Sequence, residues 1–144
     1  MTEMGAMKSI PRVLFVCVEN SNRSQMAEAF ARRHGGAAIE AFSAGSRPSG
    51  QVSPRAIAAM QDQGYDLSGH RSKSLAEVPQ DGYEYVVTMG CGDACPWIPA
   101  HHREDWALPD PKLMSPDELE QVRDDIERRV VELLKQMSRS RAGS

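Results

Sequence analysis

The octapeptide Cys17-Val18-Glu19-Asn20-Ser21-Asn22-Arg23-Ser24 most constrains the fold, because it sits where a strand must give way to a helix. Upstream, Val13-Leu14-Phe15-Val16 is a short β-branched and aromatic run of the kind that forms a buried strand. Downstream, Gln25 to Arg33 carries Met26, Ala27, Phe30 and Ala31 at helical spacing. The strand is expected to end at Cys17 and the helix to begin near Ser21. Backbone N–H groups in such a turn lack partners, and the positive end of the helix dipole lies beside them, so the turn suits a tetrahedral anion. Arg23 adds a planar fork that grips an oxyanion through two parallel bonds. The same field favours thiolate over thiol, which makes Cys17 a candidate nucleophile. The competing reading, a buried cysteine and an unrelated surface arginine, requires the strand, the Arg23 spacing and the Ser24 hydroxyl to coincide by chance.

The chain has 144 residues, which suits one domain with one sizeable core, and no linker-like stretch divides it. We expect an N-terminal extension over 1–10, a catalytic domain over 11–137 and a tail over 138–144. A formal charge of −3 with mixed signs argues against a nucleic-acid surface. No segment approaches the apolar length of a membrane span or a secretion signal, so neither membrane nor nucleic acid is an expected partner and a cytoplasmic monomer is. In a reducing compartment, three cysteines suit reactive thiols better than structural disulfides.

Further strands are expected at Ala38–Ser43, Tyr83–Met89 and, more weakly, Asp105–Leu108. A helix begins at Ser53-Pro54 as cap and first-turn proline and stops at Gly64; the last helix opens at Ser115-Pro116-Asp117-Glu118. Its stripe of Leu119, Val122, Ile126, Val130, Leu133, Leu134 and Met137 reads as core. Strands alternating with helices imply parallel βαβ units, with ligands gathering at the carboxyl ends of the strands, where Cys17, Ser43, Met89 and Leu108 fall.

With these residues in hand, the chain resembles the low-molecular-weight protein tyrosine phosphatase family, and within it the arsenate reductases. The carriers are Cys17 to Ser24 followed by Gln25-Met26-Ala27-Glu28, Ser43-Ala44-Gly45, Gly69-His70-Arg71-Ser72, Val87-Thr88-Met89 and Asp110-Pro111. The resemblance implies an α/β single-domain three-layer sandwich with a four-stranded parallel sheet flanked by helices. It implies Cys17 as nucleophile, Arg23 as anion clamp and Asp110 as general acid, with Ser24 bonding the sulfur and Asn20 bracing the loop that Glu19, Ser21 and Asn22 complete. The aromatic residues that phosphatases of the family carry after Asp-Pro are replaced here by Lys112-Leu113, whereas Cys91 and Cys95 offer the extra thiols that reduction of arsenate needs.

At i and i+4, Cys91 and Cys95 fit a disulfide if the segment takes a helical turn. The expected sequence is attack of Cys17 on arsenate, attack of Cys91 on the Cys17 sulfur with release of arsenite, and exchange to a Cys91–Cys95 disulfide that thioredoxin reduces. A low-molecular-weight thiol with a glutaredoxin-like partner is the alternative reductant, and a phosphomonoesterase using Cys17, Arg23 and Asp110 the alternative activity. A zinc module of Cys91, Cys95, His101 and His102 lacks paired CxxC spacing; no cofactor or metal is assigned. Glu19 stands where the family often has glycine, putting a carboxylate and a non-glycine residue in a tight turn. Lys73 falls where some relatives carry an acid in a potassium site, which raises the expectation that its ammonium stands in for the cation. Trp97 and Trp106 read as core or rim packing.

Overall fold

A computed structural model of the chain describes residues 10–90, 97–109 and 111–142. Four strands, β1 (Arg12–Cys17), β2 (Glu40–Gly45), β3 (Tyr83–Thr88) and β4 (Ala100–Asp105), form one parallel sheet in the order β2-β1-β3-β4. Among the described residues three α-helices, α1 (Arg23–Gly35), α2 (Pro54–Gln61) and α3 (Pro116–Ala142), connect and flank it, with single 3-10 turns between. Register places Cys17 opposite Gly45, Val16 opposite Thr88, and Thr88 opposite Asp105, so the carboxyl ends of all four strands meet at one edge. Crossover connections of this kind are what parallel pairing demands.

Alternation along β1 divides the core. Val13, Phe15 and Cys17 share a cluster with Met26 and Phe30 of α1, Met60 of α2 and Ile126 and Val130 of α3. Leu14 and Val16 point the other way, to a smaller cluster with Tyr83, Val86 and Val78 against which Leu75 and Ile98 pack. The layers are therefore unequal: the α-helical layer carries most of the buried apolar surface, and the opposite cover is thin. Trp106 is buried and tilted against Phe15, with ring centroids 5.9 Å apart, whereas Trp97 is 69% exposed.

Local chemistry sets the element boundaries. Ser53 caps α2 by accepting from the N–H groups of Arg55 and Ala56, with Pro54 in the first turn. Ser115 and Glu118 exchange reciprocal bonds at the start of α3. Three expectations are corrected. The fourth strand is Ala100–Asp105, not Asp105–Leu108: Trp106 and Leu108 turn into the core after the strand has ended. Helix α1 starts at Arg23 rather than near Ser21, because residues 18–22 are used by the loop. Helix α3 runs on to Ala142, past the expected boundary at 137.

Candidate active site

The loop from Cys17 to Arg23 owes its shape to what its carbonyls touch. Val18 O accepts from Arg47 N, Glu19 O from Ser49 N and the Ser72 hydroxyl, Asn20 O from Gln25 Nε2, Ser21 O from Ser53 N, and Asn22 O from Met26 N. Every one of these partners lies outside the loop. In a trans peptide the N–H lies on the side opposite the carbonyl, so with these carbonyls tied to partners outside the loop the amides of Glu19, Asn20, Ser21, Asn22 and Arg23 face away from those partners and stay available to an anion beside Cys17. Asn22 gives α1 no side-chain cap and the first turn holds no acid, which keeps the positive helix end available to an anion.

Asn20 supplies the tight bend. It is fully buried with φ 51°, and it is the non-glycine residue with left-handed backbone among the described residues. Asparagine tolerates that conformation better than most. Its side chain also ties the loop to the start of α1 and to Lys73: Nδ2 donates to Ser24 Oγ at 2.8 Å, while Oδ1 accepts from Lys73 N at 2.8 Å and Gln25 Nε2 at 2.9 Å. Glu19 therefore escapes the positive φ that its place in the turn threatened. Gly45 is needed for closeness: a Cβ there would lie 2.5 Å from Val18 O and 2.9 Å from Asn20 N.

Cys17 is 3% exposed, and its Sγ lies 2.8 Å from Ser24 Oγ. Because Ser24 Oγ already accepts from Asn20, its single O–H is free to point at the sulfur. In front of the sulfur is an open cleft of about 470 Å³, walled by Glu19, Ser21, Asn22 and Arg23 from the loop and by Ser53, Arg55, Gly90, Leu108 and Pro111 from the facing segments. Arg23 Nη1 donates to Met89 O at 3.1 Å and Leu108 O at 2.9 Å, which leaves Nε and Nη2 as a fork. Sequence reasoning missed Arg55, whose Nη1 reaches Pro111 O at 3.4 Å; no spacing signal distinguishes it from a surface arginine.

Behind the loop a second network continues inward. Gln25 Oε1 pairs with His70 Nδ1 at 3.0 Å, and His70 Nε2 with the Tyr65 hydroxyl at 2.8 Å. Since Gln25 presents an oxygen, Nδ1 carries the hydrogen and Nε2 accepts from tyrosine. Burial pushes the His70 pKa down, with Glu28 opposing and Arg32 and Lys73 reinforcing the shift. Lys73 Nζ bonds Arg71 O at 3.0 Å and lies 3.8 Å from Glu28 Oε1, a buried carboxylate also held by Arg32 and Ser43. Burial lowers the lysine pKa, and Glu28 partly restores it. A cation is thus already seated beside Glu28.

Asp110, Cys91 and Cys95 lie outside the described residues; Gly90 and Pro111, adjacent in sequence to Cys91 and Asp110, both line the cleft. His101 and His102 are consecutive in β4, so their side chains leave opposite faces, and His102 stacks on Tyr85. That separation weighs against the zinc reading. Among the described residues no group of three or more metal-ligating side chains assembles, and no helix is long and apolar enough to cross a membrane.

Residues 12–142 match the low molecular weight phosphotyrosine protein phosphatase family. The chain belongs to that family. Its similar relatives include the glutaredoxin arsenate reductase of Synechocystis, 39% identical over 88% of this chain and 98% of the relative. Another is an arsenate reductase of Bacillus subtilis, 37% identical over 83% of this chain and 92% of the relative. Among solved structures, an arsenate reductase in the phosphate-binding state superposes with a TM-score of 0.81 at 39% identity, over 88% of this chain and 98% of that one. A thioredoxin-dependent arsenate reductase of Corynebacterium glutamicum gives 0.75 at 34% identity, over 95% of this chain and 67% of that one.

Proposed function

We propose that the protein is an arsenate reductase in which Cys17 is the nucleophile. The observation that carries this is the amide-lined loop around Cys17 Sγ, with Arg23 beside it, in a chain whose relatives are arsenate reductases. Arsenate enters the cleft with its oxygens against the inward amides and the Arg23 fork. Cys17 attacks arsenic, and Asp110 protonates the departing oxygen, a contribution of typically ~10²–10⁴-fold for general acids. Cys91 attacks the Cys17 sulfur, the arsenic–sulfur bond electrons leave with arsenite, and a Cys17–Cys91 disulfide remains. Cys95 then attacks Cys91, freeing Cys17 and leaving Cys91–Cys95 for an external dithiol.

Thioredoxin is the proposed reductant, because two resolving thiols within one short segment complete the relay internally and leave a disulfide for a dithiol partner. The glutaredoxin arsenate reductase of Synechocystis keeps a glutathione-type route as the second reading. The test is a Cys95→Ser variant with thioredoxin as sole reductant. One arsenite per enzyme followed by a stable Cys17–Cys91 disulfide supports the relay; undiminished steady turnover excludes it. Hydrolysis of an aryl phosphate that persists when Cys91 and Cys95 are both serine, without any arsenite release by the parent protein, favours the phosphatase reading.

A further inference from the structure

The carboxyl end of β3 is pinned beyond what sheet pairing requires. Met89 N still bonds Val16 O at 2.9 Å, and Met89 O is held by Arg23 at 3.1 Å. The next residue, Gly90, has φ +77°, a backbone that L side chains rarely adopt, and it lies in the cleft wall with Leu108 O 3.5 Å from where a Cβ would be. One carboxylate oxygen fixes this turn: Asp105 Oδ1 accepts from the Thr88 hydroxyl at 2.6 Å and from Gly90 N at 3.2 Å. Asp105 is the last residue of β4 and is paired in register with Thr88, so its own backbone is anchored in the sheet.

We infer that Asp105 is a positioning residue for Cys91: by clasping Thr88 and Gly90 it fixes, in the wall of the cleft that Cys17 also lines, the backbone of the residue that precedes the resolving thiol. The inference rests on the disulfide relay proposed above. Gly90 supplies the unusual backbone, but a glycine is also the residue with most freedom to leave it, so the conformation depends on an external tie. The clasp keeps Gly90, the residue before Cys91 in sequence, in the wall of the oxyanion cleft. Its work is entropic, raising the effective concentration of Cys91 at Cys17 without touching arsenate.

The test measures that concentration with no acid catalysis involved. Full-length Cys95→Ser protein is equilibrated with reduced and oxidised glutathione, in which one Cys17–Cys91 disulfide and two glutathione thiols exchange for two protein thiols and one glutathione disulfide. Adding Asp105→Ala removes both bonds, and losing the one to Gly90 N is expected to lower the effective concentration roughly fivefold to tenfold, the value of about one hydrogen bond. Asp105→Asn, which keeps the accepting oxygen, stays within about threefold of the parent on the same reasoning. Protection of Cys17 from iodoacetamide by inorganic phosphate remains unchanged in both. An effective concentration unaltered or raised by Asp105→Ala, or an Asn variant as poor as the Ala variant, overturns the assignment. Loss of phosphate protection in both variants overturns it too, because the residue then supports the whole cleft. Absence of any Cys17–Cys91 disulfide in the Cys95→Ser parent, at every glutathione ratio, instead refutes the relay itself.

Discussion

Replacing Asn20 by alanine strikes the centre of the loop. The side chain makes three bonds, to Ser24 Oγ, Lys73 N and Gln25 Nε2, in a fully buried site. At about 1 kcal/mol each the bonds account for roughly 3 kcal/mol. Alanine must also hold φ 51°, which adds about 1 kcal/mol of left-handed backbone cost. The expected loss is therefore about 4 kcal/mol, a large share of the roughly 5–15 kcal/mol that holds a domain together. At about 3 °C per kcal/mol this lowers Tm by roughly 12 °C. Urea and thermal unfolding of Asn20→Ala, Ser24→Ala and the double variant give the assay. Because Asn20 Nδ2 and Ser24 Oγ are direct partners, removing Ser24 in the alanine background should cost about 1 kcal/mol less than in the parent. A loss below about 1 kcal/mol for Asn20→Ala, or strict additivity of the pair, refutes the bracing role.

Two further perturbations follow. His70 has a folded pKa below its unfolded one, so the unfolded chain binds the extra proton first and stability falls as pH drops through about 6.5; a His70→Gln variant should show a flatter acid limb in Tm against pH, and an identical limb contradicts the assignment. Lys73 seats an ammonium 3.8 Å from Glu28, so arsenite production by the parent protein should be indifferent to exchanging sodium for potassium chloride at fixed ionic strength, whereas Lys73→Asp should become potassium-responsive; stimulation of the parent by potassium would count against a built-in cation.

Much of this architecture was legible in the sequence, and for identifiable reasons. Val13 to Val16 is buried on both faces of the sheet, which leaves a continuous apolar run rather than alternation. Ser53-Pro54 and Ser115-Pro116 carry their caps in their own side chains. Strand β4 was hidden because His101-His102-Arg103-Glu104 lies at the sheet edge, exposed or half-exposed, and is ordered by pairing with β3 rather than by a hydrophobic face. The adjacent Trp106 and Leu108 drew the reading three residues past the strand's end at Asp105. Cys17 stands at the end of β1 with Ser24 Oγ 2.8 Å from its sulfur, and Arg23 lines the same cleft. The bonds from Ser72 to Glu19 O and from Lys73 N to Asn20 Oδ1 each cross 53 positions, and the Arg55 contact with Pro111 crosses 56, separations over which no local periodicity operates.

The central claim is that Cys17 attacks an oxyanion held by inward-facing amides and Arg23. Its most direct test is to mix the fully reduced protein with arsenate alone, quench with an alkylating agent, and map the cysteines by mass spectrometry. Arsenate-dependent disulfides are expected to begin at Cys17, appear first as Cys17–Cys91, end as Cys91–Cys95, and be blocked by Cys17→Ser. Formation of Cys91–Cys95 at the same arsenate-dependent rate in the Cys17→Ser protein, or a Cys17 that stays alkylatable throughout the parent's reaction course with no mixed disulfide, would contradict it.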